Sequence, residues 1–396
     1  MWFPKRTLRT FAVLPVVSAV LISGWLWYQN RPDTVFLQAI SAVERDDFRH
    51  VSEASASLDR YPEFRRHAHL LRGCALLDAG DASGALKEFS HTRPEGALRF
   101  PVLKFTGQAL YRTGRIFEAA QLLALLASED PGNAEAHRWL GAIHYDTGNQ
   151  SAAVAELTEA VRLNPLDHRP HRLLGLICTD ESLFGLAIEH YRTALRLGKD
   201  IPQPDIQADL ALVLIRRNRF AEALEVLALA KPTAAVWALR ADCYDGLGEQ
   251  VASREAVDKS LLADPDDRRA LLLFGTRELT DGNARNAIEP LQKVLRQDPH
   301  DPKARYQLAL AYLQLGQTEA GQREMDARDA SNKLHEQFYA SVKQAAAEPA
   351  NVQIREELAT IARSLGKQEV ANRWELAAIA CRTAVESEQT VEDSTM

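Results

Sequence analysis

Residues 134–167, AEAHRWLGAIHYDTGNQSAAVAELTEAVRLNPLD, set a pattern that recurs along the chain every 34 residues. A period of that length constrains the fold more than any other feature. Within this stretch Leu140-Gly141 comes early, Gly148 at mid-unit, then Ala153, Leu157, Ala160 and Pro165. A shift of 34 brings up Leu174-Gly175, Ala187, Tyr191 and Ala194, and the opposite shift gives Gly107, Gly114, Ala119, Leu123 and Pro131. One step further back stand Gly73, Gly80, Ala85 and Phe89. Downstream the register resumes with Ala241, Gly248, Val257 and Pro265, then Gly275, Gly282, Ala287, Leu291 and Pro299. Later units carry Ala309, Tyr312 and Gly316, then Ala359, Gly366 and Ala371.

The spacing predicts two helices per unit joined by a tight turn. The mid-unit glycine ends the first helix where positive φ is needed. Gly80, Gly114, Gly148, Gly248, Gly282, Gly316 and Gly366 fall there, and Asn218, which tolerates that conformation, replaces glycine once. The eighth position is Gly or Ala in all ten units: Ala39, Gly73, Gly107, Gly141, Gly175, Ala211, Ala241, Gly275, Ala309 and Ala359. So strict a size limit implies two backbones in close approach, where a larger residue would cost about 1–3 kcal/mol. The closing proline ends the second helix, because it lacks an N–H and clashes with the preceding turn.

At about 150 residues per domain, a length of 396 would suggest two or three domains, but the period replaces that count with one continuous array whose units stabilise their neighbours. The composition agrees: 46% hydrophobic and 26% charged residues exclude a largely disordered chain, and long Val/Ile/Tyr alternations are missing. The net charge is −7, and Lys5, Arg6 and Arg9 lie ahead of an apolar run, so the remainder is more acidic still. That balance argues against nucleic acid or anionic lipid as a general partner.

The apolar run is Phe11–Tyr28, FAVLPVVSAVLISGWLWY, eighteen residues without a charge. A helix of that length at about 1.5 Å per residue comes close to crossing a hydrocarbon core. Basic residues before it and mixed charges after it predict a cytoplasmic N-terminus, with the bulk of the chain on the periplasmic or extracytoplasmic side. A cleaved signal peptide is the rival; Ser18-Ala19 and Ser23-Gly24 would suit cleavage, whereas Trp25, Trp27 and Tyr28 suit an interfacial belt.

The repeated residues resemble the tetratricopeptide repeat (TPR) signature, W-x2-L-G-x2-Y…A-x3-F…P, over roughly residues 32–366 and beyond. The resemblance implies an all-α, right-handed superhelical solenoid of helix-turn-helix units, here preceded by one transmembrane helix. The expected divisions are a stub and signal-anchor over 1–30, a solenoid over 31–335, a long helix with a capping unit over 336–382, and an acidic frayed tail over 383–396.

What the resemblance implies for function is a concave groove that receives protein or peptide partners without catalysis. The second, fifth, ninth, twelfth and thirteenth positions of each first helix would face it. These are Lys104, Gln108, Tyr111 and Arg112, then Glu135, Arg138, Tyr145 and Asp146, then Arg169, Arg172, Thr179 and Asp180. Later units offer Leu212, Ile215, Leu272, Leu279, Leu310 and Leu313, which predicts a charged stretch followed by an apolar floor. The clamp for a C-terminal carboxylate found in co-chaperone relatives needs asparagines that this chain lacks, since Lys104 is followed by Gln108 and Arg138 by Ala142. An accessory subunit of an envelope biogenesis or secretion complex is the alternative reading.

Residues that could carry chemistry have plainer readings. His67/His69 and His168/His171 lack a third ligand at fixed spacing, and Cys74, Cys178, Cys243 and Cys381 form no CxxC. No phosphate-binding loop, nucleophile elbow or HExxH occurs, so neither cofactor nor metal is expected. Asn149-Gln150-Ser151 matches a glycosylation acceptor.

Overall fold

The computed structural model describes residues 31–43, 45, 47–199, 204–348 and 351–395. The run Phe11–Tyr28, and with it the expected transmembrane helix, lies outside the described residues. Among the described residues no helix is long and apolar enough to cross a membrane.

These residues form twenty α-helices and no strand. They are α1 Pro32–Val43, α2 Phe48–Leu58, α3 Arg65–Asp78, α4 Ala82–Ser90, α5 Arg99–Arg112, α6 Ile116–Glu129 and α7 Ala134–Asp146. There follow α8 Gln150–Leu163, α9 Arg169–Asp180, α10 Phe184–Leu197, α11 Pro204–Arg216, α12 Phe220–Ala228 and α13 Ala234–Gly246. The chain continues with α14 Gln250–Ala263, α15 Arg268–Thr280, α16 Ala284–Gln297, α17 Pro302–Gln314, α18 Thr318–Ala347, α19 Val352–Ser364 and α20 Gln368–Thr395. Neighbours pack as helical hairpins, among them α3 with α4, α5 with α6, α9 with α10 and α13 with α14.

Local chemistry places the breaks. All seven mid-unit glycines have positive φ, from 72° at Gly148 and Gly366 to 86° at Gly80, and Asn218 joins them at 55°. Ser182 also adopts φ 59°, one period after Gly148, where the sequence offers no glycine. At the Gly148 turn the Asn149 N–H donates to the His144 carbonyl at 2.8 Å, satisfying an end that the helix leaves open. Helix starts are capped by short polar side chains: Asp81 accepts from the Gly84 N–H, Asn149 from Ala152, Asp267 from Ala270 and Asp301 from Ala304. Asn149 is thus occupied in holding α8, which gives the glycosylation triplet a structural use.

The eighth-position rule holds, with a different cause from the one expected. A Cβ at Gly141 would stand 2.6 Å from Leu157 Cγ, at Gly107 2.7 Å from Leu123, at Gly175 2.7 Å from Tyr191, and at Gly73 2.2 Å from the Phe89 ring. The close approach is therefore made by a large side chain sixteen residues on, seated on the glycine, and not by a second backbone. In two of the five units where alanine replaces glycine, the residue sixteen further along is smaller: Ser55 after Ala39 and Val257 after Ala241.

Two irregular places have simple causes. The unit opening at Pro204 is short because α12 has only 9 residues, as α4 does, but lacks the longer connection that follows α4 before the next helix. The expected boundary at 335 falls inside α18, a single helix of 30 residues, because no Gly or Pro interrupts the chain between Gly321 and Pro349. Likewise the stretch from Thr383, expected to fray, continues α20 as helix to Thr395; its Glu and Gln residues favour helix and no breaker stands among them.

The contacts divide the chain into two compact bodies, Met1–Ala136 and His137–Met396, instead of one uniform array. The first is built on a core that includes Phe36, Val51, Leu71, Phe89 and Phe105. The second contains a core around Tyr191, Leu210, Leu214 and Leu227, another around Leu279, Leu291 and Leu308, and one near its end around Ile354, Leu358 and Ala345.

Candidate partner-binding groove

In the first body the candidate residues lie on α5 and at the start of α7. Lys104 is half-buried, its ammonium 4.6 Å from the centre of the Phe105 ring. Gln108, Tyr111 and Glu135 are half-buried. Arg112 is exposed, yet its guanidinium donates to the Leu77 carbonyl, which ties α5 to α3.

In the second body the charged candidates are engaged with neighbouring helices. Arg138 is only 8% exposed and stacks 4.4 Å over Trp139, so it is not a groove-facing charge. A long side chain at the fifth position turns into the packed face because Trp139 offers it a ring and Asp167 a nearby opposite charge. Arg169 holds Asp167 through two contacts of 2.9 Å. Arg172 reaches Asp205 at 3.4 Å, and also faces Asp209, whose carboxyl burial pushes up. The Tyr145 hydroxyl donates to Asp180 at 2.8 Å, and burial, aided by Asp180, pushes its phenol well up. The Arg172–Asp205 and Tyr145–Asp180 pairs each join one first helix to the next, so part of the expected charged stretch fastens consecutive units together.

Tyr145, Asp146, Thr179 and Asp180 do not look out on an open groove. With Arg216 they line one side of a 430 Å³ cavity whose other side is Phe338, Tyr339, Val342, Val370, Arg373 and Trp374. The C-terminal helices α18 and α20 therefore lie over the ends of α7 and α9.

The leucines of the expected apolar floor divide between the cores and the open surface. Leu279 is buried, while Leu212, Ile215, Leu272 and Leu310 pack against the internal cores. Leu313, exposed, lies against Gly321. Leu272 and its neighbour Leu273 also reach the outer face, which mixes apolar with polar side chains. A hollow of 860 Å³ is lined by Arg216 of α11, Asp242 and Asp245 of α13, Arg268, Arg269, Leu272 and Leu273 of α15, Lys303, Tyr306 and Gln307 of α17, and Tyr339 of α18. Arg269 pairs with Asp242, and Arg268 with Asp298 at 2.7 Å. Burial nevertheless raises the Asp242 carboxyl, with Arg269 opposing. The same five-position rule finds Arg216, Asp242, Asp245, Arg269, Lys303 and Tyr306 when it is applied to the polar members of these units. Most of the leucines occupy positions that the array uses for its own packing, while Leu272 serves both the packing and the hollow.

Of the histidines singled out above, His69 and His171 belong to a recurring contact between the two helices of a unit, which His137 shares. His69 meets Glu88 at 2.8 Å, His137 meets Glu156 at 2.7 Å, and His171 meets His190 at 3.1 Å, each pair nineteen residues apart. Arg305 and Glu324 repeat the arrangement at 2.7 Å. Among the described residues no group of three or more His, Cys, Asp or Glu side chains could hold a metal ion. All four cysteines are buried, and Cys74, Cys178 and Cys243 are free thiols.

Tetratricopeptide repeat models match residues 106–168, 146–202, 180–235 and 278–346, together about half of the chain. Among curated proteins none matches this sequence. Similar solved structures include a chain of the APC/C hetero-tetramer Cut9–Hcn1, at 20% identity and a TM-score of 0.51 over 72% of this chain. This chain spans 56% of that one's length. A tetratricopeptide repeat protein of Parabacteroides merdae is similar at 15% identity and TM-score 0.46, covering 62% of this chain and 98% of its own. YrrB, described as a TPR protein with an unusual peptide-binding site, is similar at 16% identity and TM-score 0.32, covering 54% and 93%.

Proposed function

The chain is a tetratricopeptide repeat protein, and we propose that it acts as a membrane-tethered scaffold that gathers protein or peptide partners. The observation that carries this reading is the open hollow over α11–α17. Four successive first helices present polar, aromatic and leucine side chains to one space, with Arg216, Lys303, Asp245, Tyr306 and Leu272 at its walls. Such a surface can pair with backbone and charged groups of an extended segment, each helix supplying one or two contacts. No catalytic constellation is needed for this role.

The tether is the charge-free run Phe11–Tyr28, flanked by Lys5, Arg6 and Arg9. It would confine the solenoid to a plane on the extracytoplasmic side and raise its effective concentration near membrane-bound partners. Two experiments test the reading. Affinity purification from detergent-solubilised membranes, read by mass spectrometry, is expected to return a set of partners that Arg216→Glu with Lys303→Glu loses. Unchanged recovery would sink the groove assignment. Protease treatment of intact cells is expected to leave the solenoid protected until the outer barrier is opened.

A further inference from the structure

The turn at Gly148 differs from its counterparts in one respect. At Gly80, Gly114, Gly248, Gly282, Gly316 and Gly366 an added Cβ would meet nothing within 4 Å, whereas at Gly148 it would stand 2.9 Å from the Trp374 ring. A residue of the last helix thus lies on a turn more than two hundred residues before it. Trp374 is not alone there: Phe338 and Val342, one helical turn apart on α18, face the same cavity, and Arg373 stands near Tyr145.

We propose that the C-terminal helices are a resident occupant of the groove at Tyr145–Asp180, holding the place of an amphipathic helical partner that displaces them. The proposal rests on the scaffold reading above. Three observations support displacement over permanent packing. The seat is incompletely filled, since 430 Å³ remains between the two sides, and Tyr339 at its edge is 63% exposed. The occupant has its own core, with Phe338, Val342 and Trp374 packed against Ala345, Ile354 and Leu358, so it can lift as one piece by a bend in α18, whose first half stays fastened to α17 through Arg305 and Glu324. The groove side is held independently by the Tyr145–Asp180 hydrogen bond and the Arg172–Asp205 pair. The occupant's chemistry also describes the partner: a helix with an aromatic and an aliphatic residue four apart, as Phe338 and Val342 are, and a cation beside them.

Gly148→Asn tests this on the full chain. Asparagine tolerates positive φ, as Asn218 does in the same place two units on, but its side chain would press on Trp374. Gly282→Asn is the matched control, because nothing stands near that turn. Hydrogen exchange read by mass spectrometry is expected to rise about tenfold or more over 338–345 and 370–378 in Gly148→Asn and to stay unchanged in Gly282→Asn. The variant is further expected to bind a synthetic peptide of residues 334–347 that the wild-type chain excludes, and Trp374→Ala should do the same. Equal exchange in the two glycine variants, with partner recovery intact in the wild type, overturns the occupant and leaves the scaffold standing. Opening of the helices with no gain in peptide binding, together with partner recovery insensitive to Arg216→Glu and Lys303→Glu, overturns both.

Discussion

His171 and His190 face each other across one helical hairpin with their Nδ1 atoms 3.1 Å apart, in the place where two other units put His–Glu pairs. One ring must donate and the other accept, so the contact needs at least one imidazole unprotonated at Nδ1 and is lost when both carry a proton there. Burial holds both below the ordinary histidine value of 6.5; His190 and Arg196 add to the effect at His171, while Asp167 opposes it there and Glu189 opposes it at His190. Because the folded state binds fewer protons than the unfolded one, the hairpin loses stability as the pH falls from about 7 through and below 6.5. His190→Glu restores the arrangement of the other units, where a carboxylate welcomes the protonated ring. Thermal unfolding measured at pH 7.5 and 5.5 should show a drop in melting temperature that is smaller by a few °C in this variant. His144, His168 and His300, also lowered by burial, will keep part of the slope.

The glycine seats make a second prediction. Gly141→Ala places a Cβ against Leu157, at a cost of about 1–3 kcal/mol. Leu157→Val alone should cost about 1 kcal/mol by removing buried carbon. The double variant should lose less than the two together by about 1 kcal/mol, because the smaller side chain makes room. Urea titrations of the four chains measure this coupling, and strict additivity would show that the seat does not set the size limit.

Thiol reactivity gives a third. Cys243 is fully buried, and burial pushes its thiol up to about 12; Cys74 is pushed higher still by the same cause. Iodoacetamide at pH 8 should label these two roughly 100-fold more slowly in the native chain than in urea. Fast native labelling of either would contradict the packing of α3 or α13.

Tyr145→Phe isolates the link between α7 and α9. It removes the donor to Asp180 while keeping the ring, and Asp180 is exposed enough to turn to water. The expected cost is about 0.5 kcal/mol, near the low end for a single hydrogen bond. Hydrogen exchange should rise at the C-terminal end of α9 and nowhere else in the second body.

The periodic features were legible because their causes are local. A turn that needs positive φ selects glycine at 148 and 282, and a seat under Leu157 or Tyr191 selects glycine sixteen residues before. Ser182 escaped because a serine at that turn carries no compositional signal. Arg138 and Leu279 escaped for another reason: the position rule tells which face a side chain leaves from, and a long or apolar side chain then bends to the nearest good contact. The cover that α18 and α20 form over Tyr145 and Asp180 had no local cause at all, since it joins residues about two hundred apart whose only shared trait is where the solenoid brings them.

That cover also fixes a number. An open stack can gain or lose a 34-residue unit anywhere with little consequence beyond its length. Here Trp374 meets Gly148 only when the right count of units stands between them, so the second body measures its own length. An added copy of residues 282–315 would carry α20 past its seat and leave the turn at 148 bare. Drift in repeat number, ordinary for such arrays, is penalised between these two residues.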